Sequence, residues 1–164
     1  MEAFGFQTLD ELDFNALGKC AISFAALEHM LTSAHIAMLG GPEEIFKETP
    51  EQAEIYNAMG GTFGQKLNAF VKRYREELPN DKNIDQFEEK FLQVRDCRNH
   101  FLHGFWEKEG DLLRSTFFKR SKGEPKPQVW EGTVNLLLEI HEQNTLNLKV
   151  LQDFIKTRTE STKG

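Results

Sequence analysis

Cysteine, tyrosine and tryptophan are scarce in this chain, at two residues each among 164. Cys20 and Cys97 lie far apart and in no CxxC frame, which argues against a disulfide scaffold and for two small side chains in a reduced compartment. No apolar stretch approaches the roughly 20 residues that a membrane span requires. The segment Met1 to Gln7 has neither the basic start nor the apolar run of a secretory signal. The expectation is a cytosolic protein with no membrane partner. Net positive charge is missing too: the formal charge is −6, which speaks against a protein that coats nucleic acid wholesale. Gly60-Gly61-Thr62-Phe63-Gly64-Gln65-Lys66 lacks the spacing of a phosphate-cradling loop and follows no strand-like run, so it reads as a turn. No serine or cysteine sits in a nucleophile frame.

Phenylalanine, by contrast, is abundant, with 14 residues, and predicts a core of rings that need no hydrogen-bond partner. The length suits one domain, residues 1–164, able to bury a real core. From Leu12 to Leu39 apolar residues recur at threes and fours through Leu17, Cys20, Phe24, Leu27, Leu31, Ala34 and Met38. A second stripe through Ile22, Ala26, Met30, Ser33 and Ala37 predicts a long helix buried on most of its surface, stopped by Gly40-Gly41-Pro42. A short helix ending at Gly60-Gly61 follows. Thr62 then reads as the N-cap of an amphipathic helix carrying Phe63, Leu67, Phe70, Tyr74 and Leu78, ended by Pro79-Asn80-Asp81. The next helix spans Ile84 to Leu102, its inward stripe running Ile84, Phe87, Phe91, Val94, Arg98, Leu102 and on to Phe105, with Gly104 as a C-terminal cap. The period then changes. Phe105–Lys108 and Leu112–Phe118, around Glu109-Gly110-Asp111, predict a β-hairpin. Residues Ser121–Gln128 read as a loop, and Val129-Trp130 is a candidate for a short third strand. A last helix starts near Thr133, and the polar tail from Thr157 is expected to fray. The fold class is all-α: an antiparallel bundle of about four main helices with a small hairpin before the last.

Arg98 breaks its stripe, because the rhythm of Phe87, Phe91 and Val94 assigns it to the buried face. An unpaired guanidinium there would cost several kcal/mol, on the order of 3 to 5, so a partner is expected. Glu28 breaks the apolar face of the first helix in the same way and is the leading partner, with Asp96 and Glu88 as rivals. Around Arg98 polar groups crowd together: Arg95, Asp96, Asn99, His100 and His103. Asn99 and His103 are four apart and share a helix face. A histidine that moves a proton, an arginine fork for phosphate oxygens and an orienting amide are what a ribose 2′-hydroxyl needs to attack its own phosphodiester, without a metal. Two basic groups flank this cluster in the sequence, Lys72-Arg73 with Arg75, and Lys119-Arg120 with Lys122 and Lys126; either contacts phosphates or forms a solvated face. His100 and His103 could instead hold a metal completed by Glu107 or Asp96. His29, His35 and His141 read as core or boundary histidines. Trp106 and Trp130 either stack on bases or pack the hairpin.

The stretch Arg98-Asn99-His100-Phe101-Leu102-His103-Gly104 resembles the signature of the HEPN superfamily, an arginine, a polar residue, and a histidine four to six positions after the arginine. The match covers about thirteen residues, Val94 to Trp106, and beyond them is architectural. The resemblance implies a helical bundle that dimerises through its motif helices, with RNA as substrate and no cofactor or metal. It implies Arg98 and His103 as catalytic, Asn99 beside them, and Glu28, Arg95 and His100 in support. Many members act as toxins or phage-defence effectors, which brings in a cognate antitoxin or regulatory protein as partner. Others are catalytically silent and bind nucleotide, RNA or protein, and that is the alternative function. One toxin group carries a modifiable tyrosine two places after the histidine. Phe105 stands there here, and that route of neutralisation is closed. Helix geometry adds its own argument for a homodimer. Five residues at about 100° each set Arg98 and His103 roughly 140° apart, so one straight helix does not aim both at one phosphate.

Overall fold

A computed structural model describes residues 8–119 and 124–161. Its elements are α1 (Glu11–Met38), a 3-10 turn (Pro42–Phe46), α2 (Pro50–Gly60), α3 (Phe63–Glu77), α4 (Asn83–His103), β1 (Phe105–Glu109), β2 (Leu112–Lys119), β3 (Lys126–Gly132) and α5 (Val134–Ser161). The architecture is the expected bundle of several α-helices with a small antiparallel sheet inserted before the last one. None of the described helices is long and apolar enough to cross a membrane.

Local chemistry explains the helix ends. Gly40, at φ 104°, follows α1 in the left-handed region, and Gly41 N–H reaches back to the Ile36 carbonyl at 2.9 Å, the six-to-one bond of a Schellman stop. At the start of α3 the Thr62 hydroxyl accepts from Gln65 N–H while Gln65 Oε1 accepts from Thr62 N–H at 2.8 Å. This capping box starts α3 at Phe63, so the turn predicted over Gly60–Lys66 is confined to Gly61-Thr62 and the rest is helix. Asp10 and Asp13 cap α1 reciprocally, each carboxylate accepting the other residue's backbone N–H.

The chain forms two compact units, one taking in residues up to Phe24 together with Asp96–Asn144, the other Ala25–Arg95 with the chain from Thr145 onward. The second unit is helical. Phe70 meets Tyr74, Phe87 and Phe154 at ring-centroid distances of 5.3 to 6.0 Å, and Phe91 stacks against Phe87 and Phe63. The phenylalanine rings of this core have no polar atoms to satisfy, as the phenylalanine content implied, and the Tyr74 hydroxyl donates to Asp81 at 2.6 Å. His35 is also buried here, its Nε2 2.9 Å from Glu54 Oε1.

The first unit holds the sheet, in the order β1-β2-β3. Trp106, Ser115 and Trp130 stand side by side across it. Both indoles close on Phe101 of α4, at 5.1 and 5.8 Å, and Phe101 in turn meets Phe24 of α1 at 5.1 Å. The tryptophans pack the sheet against the helix.

Several expectations need correction. The predicted loop 121–128 ends early: β3 already starts at Lys126 and pairs along β2 from Lys119↔Lys126 to Leu113↔Gly132, while residues 121–123 lie outside the described ones. Pro127 misled the reading. It is tolerated because β3 is an edge strand, where a missing N–H need not break the ladder. The tail does not fray at Thr157. The hydroxyls of Thr157, Thr159 and Ser161 bond back to carbonyls four residues earlier, Arg158 pairs with Glu77, and α5 runs to Ser161; 162–164 lie outside the description. Leu102 and Phe105 are exposed rather than inward. The sheet covers the α4 face of His100 and Phe101, and strand alternation turns Phe105 away from Trp106. On the second stripe of α1 Ile22 is 72% exposed while Ala26, Met30, Ser33 and Ala37 are half-buried, so that face is only partly covered; outside the stripe Leu12 and Phe14 are open as well.

Candidate functional site

α4 is unbroken through His103, so the register of the motif is that of a regular helix. In the first unit, Arg98, Asn99, His100 and His103 occupy its last turns. Arg98 is half-buried with its Nε fully removed from solvent, as its place in the apolar rhythm required. Asn99 is half-buried and His103 is exposed. His100 is 9% exposed, and its Nδ1 is buried without a hydrogen-bond partner. Burial holds the His100 imidazole below its ordinary value, against the opposing pull of the Ser115 contact and the Asp96 charge, so the ring is neutral at pH 7. The two histidines therefore separate by environment. His103 faces solvent and His100 faces the interior.

What joins the motif to the sheet is a tight contact at Gly104. Ser115 Oγ donates to the His100 carbonyl at 3.0 Å, and Gly104 N–H donates to the same oxygen at 3.0 Å. A Cβ at Gly104 would collide with both Ser115 Oγ and the His100 carbonyl. The glycine is needed for this close approach, not for an unusual backbone angle, since its φ is not positive. β1 begins at Phe105 opposite Thr116, so the next residue of β2, Phe117, meets the end of α4. Its ring lies 5.9 Å from that of His100 and 6.1 Å from that of His103. Phe117 and Ser115 are site residues that sequence reasoning missed. The hairpin was predicted, but only its register decides which residues of β2 face the helix.

In the second unit Glu28 of α1 is ion-paired with Lys66 of α3 at 3.1 Å, both side chains largely covered. Lys66 was not foreseen as a partner; its signal was its place next to Leu67 on the inward side of α3. A methyl on Gly64 would meet Arg95 Cδ at 3.4 Å, an ordinary contact, so the first turn of α3 lies beside that side chain. Glu28 and Arg95 thus belong to one unit, and the remaining motif residues to the other.

Burial pushes the thiols of Cys20 and Cys97 up to about 12, so both stay protonated at neutral pH and neither is a nucleophile. They are free cysteines, as expected. Among the described residues no three His, Cys, Asp or Glu side chains converge to hold a metal ion, which leaves the His100/His103 alternative without a ligand set. The basic group Lys72, Arg73 and Arg75 is neutralised by Glu76, Glu77, Asp85 and Glu88, at 2.7 to 3.9 Å, and forms a solvated helix face. No protein-family model, curated protein or solved structure matches the chain.

Proposed function

We propose that the protein is a metal-independent endoribonuclease of the HEPN type, acting as a homodimer. His103 moves the proton of the attacking 2′-hydroxyl or of the leaving oxygen, and Arg98 stabilises the charge that builds on the phosphate. Asn99, four residues before His103 on the helix, orients it. Glu28, Arg95 and His100 keep the supporting roles that the resemblance implies.

The observation that carries this reading is the contrast within the motif. His103 is open to solvent at the end of an unbroken helix, while Arg98, more than a turn earlier, keeps its Nε buried. A solvent-facing histidine can exchange protons with a substrate, and a guanidinium held by its surroundings is pre-set for a phosphate. Because the helix does not fray before Gly104, the roughly 140° between the two residues persists, which favours a site completed by a second copy. The exposed Phe105, 71% open, stands next to the motif as apolar surface for such an interface.

The net charge of −6 favours the second reading, a catalytically silent dimer of the same type that binds nucleotide, RNA or a partner protein. One experiment separates them. Purified protein is incubated with mixed RNA in excess EDTA, and product ends are identified. The ribonuclease reading expects cleavage with 2′,3′-cyclic phosphate ends. Intact RNA supports the silent dimer. 5′-Phosphate ends, or a strict need for divalent ions, would move catalysis to a metal.

A further inference from the structure

The second of the two flanking basic groups has no place in the motif, and the sheet register places its Lys119 and Lys126, while Arg120 and Lys122 lie outside the described residues. On β2 the residues Leu113, Ser115, Phe117 and Lys119 alternate to the face that meets α4. Across the strand pair Phe117 stands opposite Gln128, and Lys119 opposite Lys126. Beyond the last turn of α4 this face therefore presents, in order, His103, Phe117 with Gln128, and then Lys119 with Lys126. Gln128, Lys119 and Lys126 are exposed, and Phe117 is half-exposed.

Two like charges directly opposite each other on neighbouring strands destabilise a sheet. The other end of the same sheet shows the opposite arrangement. There Arg114 is paired with Glu131 at 2.6 Å, with Glu107 on its other side. Among the described residues no acidic partner bonds to Lys119 or Lys126, whereas Lys72, Arg73 and Arg75 are all neutralised. An uncompensated cation pair costs stability unless an anion visits it. The aromatic ring and the amide between this pair and His103 are groups that stack on and hydrogen-bond to unpaired bases.

We infer that this face of the β2–β3 ribbon is a track for single-stranded RNA leading to His103. Lys119 and Lys126 hold backbone phosphates, Phe117 stacks on a base and Gln128 reads a base edge. The inference rests on the ribonuclease reading for its direction, but binding is measurable without cleavage. It also reconciles the acidic chain with an RNA substrate: contact is local, to a few phosphates, and the rest of the surface repels the strand.

The test uses the full chain with His103→Ala and a fluorescein-labelled single-stranded oligouridine of about twelve nucleotides. Affinity is followed by anisotropy over a salt series. Lys119→Ala with Lys126→Ala is expected to weaken binding roughly tenfold and to flatten the log–log salt dependence by about 1.4, that is about 0.7 per lost phosphate contact. Lys119→Arg with Lys126→Arg, which keeps both charges, should keep the slope. Phe117→Leu should weaken binding with no change in slope, and inorganic polyphosphate, which has no bases, should be insensitive to it. In the cleaving protein, the lysine double variant should lose kcat/KM through KM. An unchanged affinity and slope in the lysine double variant overturns the track, even if the wild type cuts RNA. Lysine-dependent binding by a wild type that cuts nothing overturns the ribonuclease reading and leaves the track standing. Equal loss for oligouridine and polyphosphate in Phe117→Leu would remove the stacking role.

Discussion

Replacing Gly104 by alanine should unsettle the joint between the motif helix and the sheet. The added Cβ would overlap Ser115 Oγ and the His100 carbonyl, which already share the bond that closes the end of α4. Ser115 is fully buried, so turning its hydroxyl away breaks a hydrogen bond and strands a polar group, at about 1–3 kcal/mol. The contact with the carbonyl remains and forces a backbone shift, about 1–3 kcal/mol more for an overpacked site. Against this, alanine restricts the unfolded chain and returns about 0.4–1 kcal/mol, because the φ of Gly104 is ordinary. The net expectation is a loss of about 1–5 kcal/mol, centred near about 3, read as a lower urea midpoint at unchanged m-value. A double-mutant cycle with Ser115→Ala isolates the collision. Once the hydroxyl is gone, Gly104→Ala should cost at least about 1 kcal/mol less than in the wild type. His103 is the neighbouring residue, so RNA cleavage should fall as well. A Gly104→Ala protein as stable as the wild type, or strict additivity in the cycle, would refute the close-approach argument.

Three further outcomes follow from the same structure. Glu28→Ala should destabilise by about 1–3 kcal/mol because it strands Lys66, and Lys66→Met should recover part of that loss; full additivity of the two would refute the coupling of Glu28 to Lys66. His100 titrates lower in the folded than in the unfolded protein, so its contribution is complete above about 6.5 and is lost as pH falls from there through the folded value. Urea midpoints of wild type and His100→Gln should accordingly diverge less at pH 5 than at pH 7, and parallel pH profiles would contradict the assignment. The protein should sediment at about 38 kDa, twice the 18.9 kDa chain mass, and Phe105→Glu should shift it toward the monomer with its helix content intact; a wild type that sediments as a monomer would remove the dimer.

Much of the helical architecture was legible because period and punctuation agreed. Gly40-Gly41-Pro42 and Thr62 mark element ends through backbone chemistry that leaves few alternatives. Arg98 was legible as a buried anomaly because a charge in an apolar stripe conflicts with the stripe. The sheet was only half legible. Proline argues for a loop unless the strand is known to be an edge, and edge status is a property of the assembled sheet, which hid β3 from Lys126. The same limit concealed Phe117, since strand alternation names two faces without saying which one meets a helix. Phe105 was misassigned because the inward stripe was extended past the point where helix gives way to strand, and Leu102, still in the helix, because the sheet covers the neighbouring face of His100 and Phe101. Lys66 was missed because a lysine on an amphipathic helix is ordinarily solvated, and only the fold sets it against Glu28.

The central claim, that Arg98 of one copy and His103 of another complete a single RNA-cutting site, is tested most directly by complementation. Arg98→Ala and His103→Ala should each reduce cleavage by about 10²-fold or more while keeping the fold. The two inactive proteins are then mixed, exchanged through mild denaturant and assayed on RNA in EDTA. Random pairing makes about half the dimers mixed, and each mixed dimer holds one intact arginine–histidine pair contributed across the interface. The account predicts recovery toward about a quarter of wild-type activity, with 2′,3′-cyclic phosphate ends. A mixture as inactive as its components, with mixed dimers demonstrated, would contradict it.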